Sequence, residues 1–238
     1  MTAAYRRVIL KVSGESLAEG GGRPISPAAA GRVAAEIKAA ADLGCEIGLV
    51  VGGGNILRGI AVPGGGSERV AADQMGMLAT ILNALALRSA FESLGQPVSV
   101  MSAIPCGCAA EAYDHRRAQA RLAERQIVVF AAGTGNPFFS TDTAAALRAV
   151  ELGADVLLKA TKVDGVYDSD PVANRDARRF ETLTYLEVID RKLAVIDMTA
   201  VSLCREQKLP IVVFALATPG NVVRAVRGEA VGTRVMEG

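Results

Sequence analysis

Three short stretches of this chain carry residue types suited to holding phosphate groups. Lys11-Val12-Ser13-Gly14-Glu15 closes the first apolar run. The lysine sets a compact cation there, and Ser13 and Gly14 offer a hydroxyl and backbone amides to phosphate oxygens. A charged residue also ends many strands simply by reaching water, and for this motif alone both readings stay open. Gly52-Gly53-Gly54-Asn55-Ile56-Leu57-Arg58-Gly59 follows the second run. Consecutive glycines cost backbone entropy. A turn needs one or two of them, so a third argues that the backbone itself approaches something bulky and anionic. Arg58 adds a planar cation that matches phosphate. The third stretch is Gly133-Thr134-Gly135-Asn136-Pro137-Phe138-Phe139-Ser140-Thr141-Asp142. Its glycines permit close approach, its hydroxyls and amides donate near a positive helix end, and its aromatic pair is placed to wall a flat ring. Asn-Pro and Thr-Asp are also ordinary turn and cap chemistry.

These loops need a frame. Apolar runs of strand length recur at 8–12, 47–51, 98–101, 127–131, 156–159 and 211–214. They are continuously apolar rather than alternating, as in strands buried on both faces. Helical patterns lie between most of them. Residues 27–43 have Ser26 as cap and Gly44 as stop; 73–94 end at Gly95; 143–152 end at Gly153; 197–207 precede the last run. The alternation predicts an α/β fold of three layers, a mainly parallel central sheet with helices on both faces. Loops between strand and helix are where such sheets bind ligands. Residues 161–181 are polar and interrupted by Pro171, and read as a surface hairpin with Asp164-Gly165 as its tight turn. No linker or internal repeat divides the 238 residues, so they read as one domain with two functional halves, roughly 1–150 and 151–238.

Composition removes several classes. The net charge of +1 lacks the basic footprint of a nucleic-acid binder. No stretch approaches the ~20 uninterrupted apolar residues of a membrane span. Residues 1–7 carry no signal-peptide core, so the cytoplasm is the expected location. Cys45, Cys106, Cys108 and Cys204 lack zinc-site spacing and read as small buried apolar residues. The single histidine, His115, sits in a polar segment and reads as solvent-facing. There is no Gly-Lys dipeptide and no Gly-x-Gly-x-x-Gly, so neither common nucleotide loop is present.

Taken in order, 11–15, 52–59, Met101-Ser102-Ala103-Ile104-Pro105, 133–142 and the segment from Lys159 to Pro171 resemble the bacterial uridylate kinases, on the amino acid kinase fold. The likeness runs from about Arg7 to Thr233. It implies transfer of the ATP γ-phosphoryl group to UMP in pyrimidine nucleotide biosynthesis, with Lys11, Arg58 and Asp142 as catalytic residues. By the same resemblance, Lys11, Val12, Ser13, Gly14, Gly54, Arg58, Thr161, Tyr167 and Asp170 would contact ATP. Gly53, Asp73, Thr134, Gly135, Asn136, Pro137, Phe138, Phe139, Ser140 and Thr141 would contact UMP. Mg²⁺ would be held mainly through nucleotide phosphates, with no protein ligand set. A homohexamer activated by GTP and inhibited by UTP is implied too.

Local alternatives stand beside several of these roles. Asp73 also reads as a helix N-cap, Asp142 as a first-turn helix acid, Tyr167 as a surface packing residue and Asp197 as a plain cap. Lys159 and Lys162 are candidate phosphate cations, of which one is simply solvated. Glu19-Gly20-Gly21-Gly22-Arg23-Pro24 departs from the family, which carries an aromatic in this activator-linked loop. The competing functions are a relative phosphorylating a small carboxylate or carbamate, and a non-catalytic nucleotide sensor.

Overall fold

The computed structural model describes residues 2–19, 22–57, 66–171, 173–193 and 196–238. Arg58, Gly59, Gly20 and Gly21, named above, lie outside them. The six apolar runs form β1 (Arg7–Val12), β2 (Glu46–Val51), β3 (Val98–Ser102), β5 (Ile127–Ala131), β6 (Val156–Thr161) and β8 (Ile211–Ala215). Three further strands escape the sequence pattern: the short β4 (Glu111–Ala112) and β7 (Thr182–Thr184), and the five-residue β9 (Gly232–Met236). Among the described residues these nine make one sheet, in the order β4-β3-β5-β2-β1-β6-β8-β9-β7. All pairings are parallel except β8 with β9.

The sheet separates two cores. Val8, Leu10 and Val12 of β1 face α1 (Pro27–Ala41), α2 (Gly66–Ser93) and α7 (Asn221–Val226). Ile9 points the other way, toward α3 (His115–Ala123), α4 (Thr141–Leu152), α5 (Tyr185–Asp190) and α6 (Met198–Glu206). Strands covered on both faces explain the unbroken apolar runs. Short side chains let helices lie close to the sheet, as with Ala144, Ala145, Ala146 and Ala149 of α4, all fully buried.

Four local expectations need correction. The long helix begins at Gly66, so Asp73 sits two turns inside it and is no N-cap. The same helix, over Glu68–Ser93, is long and apolar enough by length and composition to cross a membrane, which a search for uninterrupted apolar residues misses. In the structure it packs against α1, β3 and β5. The excursion after β6 pairs Tyr167 with Arg179 and Phe180 N with Val166 O, so the chain reverses beyond residue 168 rather than at Asp164-Gly165. Gly165 has no positive φ; it is a glycine because a Cβ would meet Thr233 Oγ1 at 2.6 Å. Cys45 and Cys204 are buried as expected, but Cys108 is exposed and Cys106 half-buried.

Candidate active site

Parallel pairing of β1 with β6 places Lys11 opposite Lys159. Both side chains turn to the same carboxylate. Lys11 Nζ lies 2.9 Å from Asp142 Oδ1, and Lys159 Nζ bonds Oδ2. All three groups are largely buried. Asp142 stands in the first turn of α4, where the helix dipole favours an anion. Burial alone would raise its pKa, but the attraction of Lys11 and Lys159 outweighs that and holds the carboxyl below the usual 3.8. Burial lowers Lys159 below the usual 10.5 against the pull of Asp142. Two cations on one anion leave positive charge at the carboxyl ends of the central strands.

The glycines of two loops meet above this cluster. A Cβ on Gly14 would fall 2.4 Å from Gly52 O and 2.3 Å from Asn55 Oδ1, so a side chain there has no room. A Cβ on Gly53 would sit 2.9 Å from Gly76 O of α2. Packing therefore accounts for Gly53, whereas Gly54 faces open space and keeps its backbone bare for a ligand. The loop is pinned from α2 by the buried Asn83, whose Nδ2 donates to Gly52 O at 2.7 Å and to Asn55 Oδ1 at 2.7 Å. Ser13 caps the short 3-10 turn Gly14–Leu17. Lys162 is exposed and paired with Glu15.

Beside the glycine loops lies a cavity of about 510 Å³, lined among others by Gly53, Gly54, Asp73, Thr134, Asn136, Phe139 and Thr141. Residues expected to hold one ligand thus converge from three elements. Asp73 Oδ2 accepts the Phe138 amide at 2.7 Å. Gly133 and Gly135 take φ of +59° and +80°, which glycine adopts without steric cost. A Cβ at Gly135 would also touch Ala103 O at 2.9 Å, which is how the 101–105 motif shapes this loop. Phe139 lines the cavity, while Phe138 points its ring outward, 61% exposed.

Ser140 caps α4 by accepting from the amides of Asp142 and Thr143. Its own hydroxyl donates to Asp197, which caps α6 through Ala200 N and also accepts from Thr143 Oγ1 at 2.9 Å. The cap reading of Asp197 holds, and the residue also joins two helices. A second cavity, about 800 Å³, opens past Asp142 and Lys159 onto Ile189, Leu193, Ile196 and Met198. Thr161 ends β6 and lines a different cavity, toward α1 and α7. Tyr167 donates to Asp164 Oδ1 at 2.6 Å, and Asp170 is exposed near the tip of the excursion.

This geometry has counterparts of known kind. Residues 6–215 match the Amino acid kinase family. The uridylate kinase of Pseudomonas fluorescens is 50% identical over 236 residues, spanning 99% of this chain and 96% of its own. The chain belongs to the uridylate kinase family. The UMP kinase of Bacillus anthracis superposes on it with a TM-score of 0.93 at 40% identity, covering 98% of this chain and 96% of its own. That of Ureaplasma parvum gives 0.90 at 34% identity, covering 98% and 99%.

In this uridylate kinase family member, sequence reasoning named Asp73 on α2 but missed the rest of that helix's contribution. Arg69, Asp73, Gly76 and Thr80 all line the smaller cavity, and Asn83 pins the glycine loop. Thr80 Oγ1 accepts Ala132 N at 2.7 Å, setting the start of the 133–142 loop. Their spacing was the available signal. Residues 69, 73, 76, 80 and 83 step by 4-3-4-3, one polar or small stripe along an otherwise apolar helix.

Proposed function

We propose that this protein transfers the γ-phosphoryl group of ATP to the phosphate of UMP, giving UDP and ADP. The observation that carries the reading is the meeting of Lys11, Asp142 and Lys159 beside a cavity walled by Asp73 and the 133–142 loop. UMP occupies that cavity, its ribose hydroxyls donating to Asp73 and its base against Phe139. Its phosphate lies toward Gly53 and Thr141, with Gly54 at the reacting centre. The ATP phosphates run along Ser13 and Gly14 above Lys11, and its nucleoside extends over residues 151–238. One half of the chain thus presents the acceptor and the other the donor.

The chemistry asks little of a base. The acceptor phosphate is already largely ionised at neutral pH, its second pKa being about 6. A UMP phosphate oxygen forms the new bond to the γ-phosphorus while the bond to the β,γ-bridging oxygen breaks, and ADP leaves with that electron pair. The protein must align two anions and offset their repulsion. Lys11 meets the charge that spreads over the transferring group. Asp142 fixes the Lys11 ammonium, and Lys159 keeps Asp142 ionised. Among the described residues no three His, Cys, Asp or Glu side chains gather to hold a metal. Mg²⁺ bound through the nucleotide phosphates would supply further charge neutralisation, and Asp142 is the carboxylate that would orient those phosphates.

The finer reading is a cytoplasmic homohexamer serving pyrimidine nucleotide biosynthesis, with GTP as activator and UTP as inhibitor. Met75, Leu78 and Leu82, exposed along α2, offer an apolar surface for self-association. The test of the whole is ADP release from Mg-ATP with UMP, CMP, dTMP, acetylglutamate or carbamate. Turnover confined to UMP is expected. Turnover with acetylglutamate or carbamate overturns the assignment of the 133–142 loop.

A further inference from the structure

Two residues that line the acceptor cavity, Arg69 and Asp73, make a contact with Phe138 that the proposed chemistry leaves unexplained. Arg69 and Asp73 lie one turn apart on α2, and Arg69 Nε stands 2.9 Å from both carboxylate oxygens. One of those oxygens also accepts the amide of Phe138, 65 residues further on. The Arg69 guanidinium carbon lies 5.9 Å from the centroid of the Phe138 ring, at the outer reach of a cation–π contact. Phe138 itself holds φ of +72°, a left-handed conformation that bulky side chains disfavour.

Taken singly, neither the ion pair nor the left-handed phenylalanine does much for the fold. A base placed four residues before an acid is the weaker order for a helical ion pair, and Arg69 is more than half exposed. A strained phenylalanine with an outward ring gains little from burial. Together they make a clasp. The left-handed turn at Phe138 is kept by a hydrogen bond that its amide donates to a carboxylate held in place by Arg69. An ionised carboxylate has about four acceptor positions, and with Arg69 and the Phe138 amide in place Asp73 retains capacity for a ribose hydroxyl.

We propose that Arg69 is a positioning residue for the acceptor nucleotide: it orients the Asp73 carboxylate toward the ribose and, through Asp73 and the Phe138 amide, keeps the 133–140 loop folded over the cavity. The inference rests on the placement of UMP in that cavity. It makes loop closure and acceptor recognition one event, because the same carboxylate serves both.

The test compares Arg69→Gln, Arg69→Lys, Asp73→Asn and the Arg69→Gln/Asp73→Asn double variant with the intact protein. Arg69→Gln should raise KM for UMP about five- to tenfold, the effect of losing an interaction of ~1 kcal/mol, with kcat and KM for ATP within about twofold. Arg69→Lys should recover part of the loss. In the Asp73→Asn background the same change should add nothing, because Arg69 acts through the carboxylate. Hydrogen exchange at the Phe138 amide, followed without substrate, should quicken in Arg69→Gln. An undiminished Arg69→Gln effect in the Asp73→Asn background overturns the proposal, since Arg69 would then meet the nucleotide directly. Unchanged exchange at Phe138 also overturns it. If the intact protein fails to phosphorylate UMP, the functional reading falls, while the exchange measurement still decides whether the clasp exists.

Discussion

Lys11 and Lys159 are register partners on adjacent parallel strands, and each holds one oxygen of Asp142. The carboxylate, in the first turn of α4, is thus held from two adjacent strands of the sheet. Replacing Lys11 with Ala should lower kcat by about 10²–10³, the usual loss for one transition-state electrostatic contact. Steady-state kinetics on folded protein check this, and near-normal turnover would remove Lys11 from the chemistry.

Removing Asp142 has a second cost. In Asp142→Asn two largely buried ammonium groups lose their shared anion, and breaking such a pair destabilises by about 3–5 kcal/mol. Thermal denaturation should show a clear loss of Tm together with the fall in kcat. A variant with unchanged Tm would mean that water or an ion already compensates the lysines.

The same cluster sets a pH signature on each side of neutrality. The Asp142 pKa is depressed in the folded protein, so its stabilisation is present above the unfolded value near 3.8 and is lost as pH falls through the lower folded value. Lys159 is also depressed, mainly by burial, so the folded protein gives up this proton before the unfolded chain does. Activity should therefore decline on the alkaline side below pH 10.5, the ordinary lysine value. Asp142→Asn should move that limb lower still, because the carboxylate is what supports the charged lysine. A kcat profile flat up to pH 10.5 would contradict this.

Gly53 and Gly54 are neighbours with opposite reasons for being glycine. Gly53→Ala drives a Cβ against Gly76 O of α2 and should cost about 1–3 kcal/mol of stability, as overpacking does. Gly54→Ala meets nothing in the free protein and should leave stability within about 0.5 kcal/mol. Its kcat/KM should nevertheless fall by about tenfold or more, ~1.4 kcal/mol of transition-state binding, if phosphate lies on that backbone. Denaturation and kinetics on the two variants separate the effects. Loss of stability in Gly54→Ala would show that the open space is closed in solution.

The frame was legible in the sequence because burial on both faces removes alternation from a strand. The six long runs are mostly apolar, and Ile127–Ala131 is so throughout. β9 was not legible for the opposite reason: Gly232–Met236 alternates buried and exposed positions at the edge side of β8 and carries Thr233 and Arg234. In the site, loops with several glycines announced themselves, since such backbone is expensive unless something approaches it. The α2 residues stayed hidden because a helix needs no special sequence to present Thr80 or Asn83. Only the fold decides that their stripe faces the glycine loop. The pairing of Lys11 with Lys159 was equally out of reach, because strand register depends on which strands are neighbours.

Ser140 and Asp197 cap α4 and α6 and are bonded to each other. The amino ends of two helices, one from each half of the chain, are thereby welded at a single point beside the reacting centre. That tie links the start of α4, and with it Asp142, to the start of α6, so a displacement of either helix is passed directly to the carboxylate that Lys11 and Lys159 share.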